Sequence, residues 1–260
     1  MKIIDVTADN VEEKGFFCLM SRRTSDGYQR KLEWLRARFK EGLCIKMLDL
    51  SEGGRGFIEY IPGEYAWRPV DAAGFVFIHC LWVVGKSKGK GFASLLLEGC
   101  LADAERLGSQ GVAMVTSEGN WLVGRKLLLR HGFERVDRAE PGYELQVKAF
   151  GTAPPPSFPT DWSRRAARFG QGLTVVRTDQ CPYLDDAVNA ALEAGRERGL
   201  KTSVVELTNP QEIRERAPSP YGVFTIVLDG EVLSHYYQPK KKLKELLDAR
   251  TEHNEKPLSV

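Results

Sequence analysis

Hydrophobic residues along this chain follow two rhythms, and their changes mark out the elements. Leu32, Leu35 and Phe39 recur at helical spacing and predict a helix from about Tyr28 to Lys40. Ahead of it, Lys2 to Val6 reads as a short strand and Val11 to Met20 as helical. Strands at Leu43 to Leu50 and Gly56 to Ile61 follow, with Ser51-Glu52-Gly53-Gly54 between them as a hairpin signal. The longest apolar run, Phe75 to Val84, carries only His79 as an interruption and predicts a buried strand. Strict alternation along it sets Phe77, His79, Leu81 and Val83 on one face and Ile78, Cys80 and Trp82 on the other. A helix from Phe92 to Leu107, a strand from Val112 to Thr116, a helix from Trp121 to His131 and a strand near Gly142 to Val147 complete this half.

The rhythm then breaks at Gly151-Thr152-Ala153-Pro154-Pro155-Pro156-Ser157-Phe158-Pro159, where the prolines forbid a helix interior or a central strand. Residues 151–170 therefore read as an extended linker between a domain at 1–150 and a second at 171–260, with a short docking helix near Asp161. The second half predicts strand Leu173 to Arg177, helix Leu184 to Arg198, strand Ser203 to Leu207 and a short helix Pro210 to Arg216. Strands Val223 to Leu228 and Val232 to Tyr236 and a last helix Lys240 to Arg250 end it, with Asp229-Gly230 as a hairpin turn. The fold class is α/β (α+β), a mixed and mainly antiparallel sheet flanked by helices, with a smaller α/β domain behind it.

Composition acts by exclusion. Hydrophobic residues are 42% and charged residues 28% of 260, which rules out wholesale disorder. Thirty-seven basic against thirty-five acidic side chains leave +2, too even a balance for a protein built on nucleic-acid phosphates. The apolar run is far short of the roughly 20 residues of a membrane span, and the charged start Met1 to Val6 gives no expectation of a signal peptide. The five cysteines are odd in number, scattered and without a C-x-x-C pair, so neither a disulfide framework nor a zinc knuckle fits, and a reducing cytoplasm is the expected compartment.

Chemistry concentrates where the apolar strand ends. Leu81-Trp82-Val83 lead through Gly85 into Lys86-Ser87-Lys88-Gly89-Lys90-Gly91 and at once into the Phe92 helix. Free backbone N–H groups at such a helix start, beside the positive end of its dipole and three lysines, form an anion site. A lysine-rich solvated turn is the plainer account of the same residues. Lys88-Gly89-Lys90-Gly91-Phe92-Ala93 resembles the acetyl-coenzyme-A signature of the GCN5-related N-acetyltransferase superfamily, with lysine where glutamine or arginine is usual. The resemblance implies that the amides of Lys88, Gly89, Lys90, Gly91, Phe92 and Ala93 bind the pyrophosphate of acetyl-CoA. It also implies that the strand Leu81, Trp82, Val83 pairs with the pantetheine arm.

A second stretch, Gly119 to Phe133, is similar to the superfamily's late helix ending in Gly-Phe, with Asn120 near the asparagine that helps hold the pantetheine. The tyrosine that often serves there as general acid is Leu128 in this chain. The pattern from Gly56 to Arg68 resembles YoaP-type acetyltransferases, which carry a second domain. The resemblance implies transfer of an acetyl group by direct attack of a small-molecule or peptide amine on the thioester.

For proton transfer, His79 just upstream of the cofactor loop is one candidate base and Glu59 the other; a core histidine and a lysine's ion-pair partner are the plainer readings. Glu64, Tyr65 and Trp67, in a loop that also holds Arg68 and Asp71, form a candidate substrate wall. The second domain's element order resembles the thioredoxin fold, and Cys181-Pro182-Tyr183-Leu184 resembles the glutaredoxin Cys-Pro-Tyr-Cys without its second cysteine. Cys181 at a helix start therefore offers a thiol-exchange or thiol-recognition alternative, beside an accessory role.

Overall fold

The computed structural model describes residues 2–49, 52–118 and 122–254. After β1 (Ile3–Val6), the apolar stripe read from Leu32 and Leu35 becomes α2 (Asp26–Phe39), which buries Tyr28, Lys31, Leu32, Trp34 and Leu35. The helix expected from Val11 to Met20 is only one turn, α1 (Val11–Lys14), because Gly15 turns away with φ 71°. Then come β2 (Cys44–Leu48), β3 (Gly56–Pro62), β4 (Val76–Val83), α3 (Phe92–Arg106), β5 (Gly111–Ser117), α4 (Lys126–Arg130), β6 (Glu134–Ala139) and β7 (Tyr143–Ala149). These seven strands form one sheet in the order β1-β2-β3-β4-β5-β7-β6, antiparallel throughout except for β4 beside β5. The parallel pair requires a crossover, and α3 provides it.

Two sequence expectations change here. The helix from Trp121 is confined to α4, with Gly124 just ahead of it as a poor helix residue; Trp121 itself lies outside the described residues. β6, Glu-Arg-Val-Asp-Arg-Ala, carries no apolar alternation and was not expected. It is an edge strand, mostly exposed, held by its ladder to β7.

The second sheet comprises β8 (Leu173–Arg177), β9 (Thr202–Glu206), β10 (Phe224–Leu228) and β11 (Glu231–Ser234) in the order β11-β10-β8-β9. Its helices are α6 (Leu184–Arg196), α7 (Pro210–Arg216) and α8 (Lys240–Asn254), and α6 crosses between the parallel β8 and β9. Asp229 and Gly230, both at positive φ, turn β10 into β11.

The proline-rich stretch does not hang free between the sheets. Ser157 bridges to Asp71, the Phe158 N–H donates to Asp137 Oδ2 at 2.8 Å, and the Phe158 ring is buried before α5 (Trp162–Ala167) begins. Apolar clusters then cross from one sheet to the other. Phe75, Val115 and Tyr143 belong to the same cluster as Leu173, Leu184 and Phe224, and Leu35, Ile45 and Trp67 to the same cluster as Val176, Ile213 and Val227. Contact is close at Gly27 on α2, where a Cβ would lie 2.2 Å from the Pro182 carbonyl oxygen. Among the described residues no helix is long and apolar enough to cross a membrane.

One irregularity positions the site. β3 pairs Glu59 with Cys80 and Tyr60 with Ile78, so His79 is an extra residue in β4, a bulge. An inserted residue reverses the parity of everything after it. The strict alternation expected along β4 therefore fails. Leu81 and Val83 pack with Val76 and Ile78 in one cluster, whereas Cys80 and Trp82 pack against the other side, next to Phe57.

Candidate active site

The bulge also ends the parallel pairing. β4 and β5 are in register at Val76–Val112, Phe77–Ala113 and Ile78–Met114, and past Ile78 they part although both continue. From His79 onward that edge of β4 pairs with no strand among the described residues. Its buried Leu81 and half-buried Trp82 and Val83 lead through Val84 to a single 3-10 turn at Gly85–Ser87.

At the end of this run stands α3, with Gly91 at its N-cap in the left-handed region, φ 80°. A side chain there would be strained, and glycine lets the backbone turn straight into the helix. No side chain caps α3, so its first N–H groups are open. Lys86, Lys88, Gly89, Lys90 and Gly91 are exposed, and Phe92 and Ala93 are half-buried. A Cβ built on Gly85, Gly89 or Gly91 would meet nothing within 4 Å, so no described residue crowds these glycines before the helix. An uncapped 15-residue helix, an open approach and three mobile cations suit a phosphate-bearing ligand. Asn120 lies outside the described residues.

On the other side of β4 is a cavity of about 340 Å³, whose walls include Glu59, His79, Cys80, Trp82 and Val84 from the first half of the chain and Gln180, Cys181 and Tyr221 from the second. At its floor lies a buried cluster of charge. Lys31 Nζ donates to Glu59 Oε2 at 2.6 Å, both side chains 3% exposed. Glu59 Oε1 faces His79 Nδ1 at 3.2 Å and accepts from Gln180 Nε2 at 3.3 Å. Burial alone would raise the Glu59 carboxyl, but the Lys31 ammonium and the His79 hydrogen bond overcome it and hold the group at about 2. It is a carboxylate at any working pH.

The Trp67 backbone N–H donates to His79 Nε2 at 2.9 Å. Nε2 is then the acceptor nitrogen, and Nδ1 carries the proton toward Glu59. Burial, opposed by Glu59 and aided by Arg68, pushes the imidazole down to about 4. His79 is thus neutral with both nitrogens engaged, and it has no free lone pair for a substrate proton. This arrangement supports the plainer reading of His79 as a core histidine over that of a base. Glu59 fares no better in that role, since a carboxyl held near 2 is a weak proton acceptor. The two residues instead fix the floor of the cavity and the start of the Trp67 loop.

The substrate wall expected from Glu64, Tyr65 and Trp67 is not brought to the cavity. Glu64 and Tyr65 are exposed, and Trp67 is buried against Trp34, ring to ring at 5.0 Å. Arg68, the next residue, does reach it. Its Nη1 donates to the Trp67 carbonyl at 2.7 Å and to Gln180 Oε1, and its Nη2 to the His79 carbonyl at 2.9 Å. Leu128 is fully buried in the cluster beneath α3.

Sequence reasoning missed Lys31, Gln180, Tyr221 and Tyr237 among the residues lining the cavity. Lys31 left one trace, a charge inside the apolar stripe of α2, flanked at helical spacing by Tyr28 and Leu35. Gln180, Tyr221 and Tyr237 lie in loops around the second sheet and carry no periodic signal. Cys18, Cys80 and Cys181 all open on the cavity, and burial raises all three thiols. Cys181 is therefore not the low-pKa thiol that the exchange alternative needs. Phe17, which stacks on Phe57 at 4.7 Å in the same wall, has φ 78°. A non-glycine residue held there costs about 1–3 kcal/mol and points to a wall fixed by its surroundings.

No family model matches the sequence. The chain is 30% identical over 252 residues to the uncharacterized N-acetyltransferase YoaP of Bacillus subtilis (strain 168), across 95% of this chain and 99% of that protein. Among solved structures, an aminoglycoside 6'-acetyltransferase type Ii matches with TM-score 0.44 and 16% identity, over 59% of this chain and 100% of its own. The PaiA N-acetyltransferase of Thermoplasma acidophilum, in complex with coenzyme A, matches with TM-score 0.41 and 15% identity, over 58% and 100%. Identity of that extent along nearly the whole of both chains makes this protein a member of the family of the N-acetyltransferase YoaP.

Proposed function

We propose that the protein transfers the acetyl group of acetyl-CoA to an amine held in the cavity beside β4. The observation that carries this reading is continuity. The β4 edge freed at His79 runs from the cavity wall to Val84 and on to the open N-terminus of α3, so one strand links an anion cradle to an enclosed pocket. The amides from Lys88 to Ala93 take the pyrophosphate, and the free edge of Leu81, Trp82 and Val83 pairs with the pantetheine arm. Acetyl-CoA, when bound, supplies an activated thioester and a thiolate leaving group.

The chain's own residues bind, orient and set charge. His79 and Glu59 act as positioning residues, and the bulge they stabilise keeps β4 apart from β5. Lys31 and Arg68 give the cavity more positive than negative charge, which disfavours an ammonium and favours the free amine that must attack. The proton released from the attacking nitrogen leaves through water, since neither Glu59 nor His79 can take it. Leu128, buried where the superfamily often has tyrosine, offers no proton to the leaving sulfur, and solvent protonates it.

In this reading residues 1–150 are the acetyltransferase domain, 151–170 the linker and 171–260 a degenerate thioredoxin-like domain. The order β11-β10-β8-β9 and the position of Cys181 between β8 and α6 support that assignment. The second domain is then an accessory that closes the cavity, not a thiol-exchange centre.

Acetyl-CoA at 100 times its Kd is expected to stabilise the protein by about 2.7 kcal/mol. Gly91→Glu, which sets a carboxylate at the cradle, is expected to remove the thermal shift. Absence of a shift in the wild-type protein at saturating acetyl-CoA would sink the proposal.

A further inference from the structure

The cavity holds a charge that no ion pair among the described residues neutralises. Of the charged side chains lining it, Lys31 and Glu59 cancel as an ion pair and His79 is neutral. Arg68 remains, 2% exposed, and each of its partners is an uncharged oxygen: two backbone carbonyls and the Gln180 amide. Among the described residues it makes no ion pair. A guanidinium has five N–H donors, and three are used by those bonds. The Nε–H and one Nη2–H have no partner among the described residues, and Nε is not among the sealed, unpartnered buried atoms. A planar cation with two free N–H groups, on a side chain only 2% exposed, matches a carboxylate.

Much of the remaining wall is aromatic. Phe17, Phe57, Trp82, Tyr183, Tyr221 and Tyr237 surround the space, and the Arg68 guanidinium lies 5.6 Å from the Tyr221 ring centroid. Phe17 is held at its strained φ with its ring stacked on Phe57, which keeps that wall flat. A volume near 340 Å³ is at the small end of ligand sites. That volume suits one ring-sized body.

We propose that the acceptor is an amine carrying both a carboxylate and a ring-sized apolar body, a free aromatic α-amino acid being its simplest form, with Arg68 binding the carboxylate. The proposal rests on the acetyl-transfer reading for the fate of the amine, but its recognition chemistry is separate. Arg68 serves specificity and the aromatic wall serves size. Because Gln180, Tyr183, Tyr221 and Tyr237 come from beyond residue 170, the second half of the chain supplies much of the selectivity.

The test compares L-phenylalanine, 2-phenylethylamine and glycine as acceptors with the full-length protein and acetyl-CoA, reading CoA release. The expected kcat/KM for phenylalanine exceeds that for 2-phenylethylamine, which lacks the carboxylate, and that for glycine, which lacks the ring, by at least about 100-fold. Arg68→Met is expected to cut the phenylalanine-to-phenylethylamine ratio at least about 30-fold, with Arg68→Lys between the two. A ratio unchanged in Arg68→Met, with both rates lowered alike, would mean that Arg68 acts on the thioester and would overturn its assigned role. Equal or better transfer to 2-phenylethylamine by the wild-type protein would overturn the substrate class while leaving acetyl transfer intact. If no amine is acetylated, the wild-type protein's melting temperature with 3-phenylpropionate decides. A rise with that carboxylate and none with 2-phenylethylamine upholds the recognition chemistry against the failed activity, and no rise overturns it.

Discussion

Replacing Glu59 with glutamine tests the buried cluster most directly. Burial would raise this carboxyl, yet Lys31 at 2.6 Å and the His79 hydrogen bond hold it at about 2, against an ordinary 4.5. At ~1.4 kcal/mol per tenfold change in proton affinity, that difference is about 3 kcal/mol of stability at neutral pH. The substitution removes it and leaves Lys31 charged in a site 3% exposed to water. Breaking one side of a buried pair costs about 3–5 kcal/mol, in agreement. For a chain of this size 3 kcal/mol lowers Tm by roughly 6–12 °C. The folded carboxyl titrates below the unfolded one, so its contribution is whole above the unfolded value and is lost as pH falls toward about 2. Calorimetry of wild type and Glu59→Gln across that range is therefore expected to show a gap in Tm that is widest near neutrality and closes in acid. Lys31→Met added to Glu59→Gln, which removes both charges, should recover part of the loss. A neutral-pH gap under about 2 °C, or one that persists unchanged in acid, would refute the reasoning.

The His79 imidazole is held down to about 4, so NMR of its ring should show no titration between pH 8 and about 5. Its stability contribution is whole above the ordinary value near 6.5 and is lost as pH falls from there to about 4. Leu128→Tyr must fit a phenol into a fully buried leucine site, and urea denaturation is expected to show a loss of about 1–3 kcal/mol with no gain in acetyl-transfer rate. A faster enzyme would mean that the leaving sulfur lacks an effective proton donor. Cys181, its thiol raised by burial, should react with iodoacetamide at pH 7 no faster than free cysteine, and a rate tenfold above free cysteine would contradict the structure.

Much of this was legible in the sequence, and the exceptions have physical causes. Every strand of the second sheet and the α3 cradle followed from local signals, namely apolar periodicity, Asp229-Gly230 and the glycines before Phe92. β6 escaped because an edge strand exposed to water needs no apolar alternation. The faces of β4 came out wrong beyond His79 because a bulge is a property of two strands in register, and a single sequence shows only one at a time. The cavity was read least well. Arg68 was grouped with Glu64, Tyr65 and Trp67 as one wall, but in the structure the loop divides, with Trp67 in the core, Glu64 and Tyr65 outside and Arg68 alone facing inward. Its remaining walls meet only after the chain has folded across more than 100 residues, as in the Gln180 contact to Glu59.

The cradle and the cavity wall are far apart in the sequence, and this separation bears on how such proteins diverge. Substitutions at Gln180, Tyr221 or Tyr237 reshape the cavity without touching a residue from Lys88 to Ala93, so on the proposed reading a new acceptor can be acquired while the donor's seat stays as it was. On that reading, the second half of the chain is the part in which one preference is exchanged for another. A chimera that takes residues 171–260 from a relative would carry over that relative's choice of substrate, provided Gly27 still admits the Pro182 carbonyl on which the two halves close.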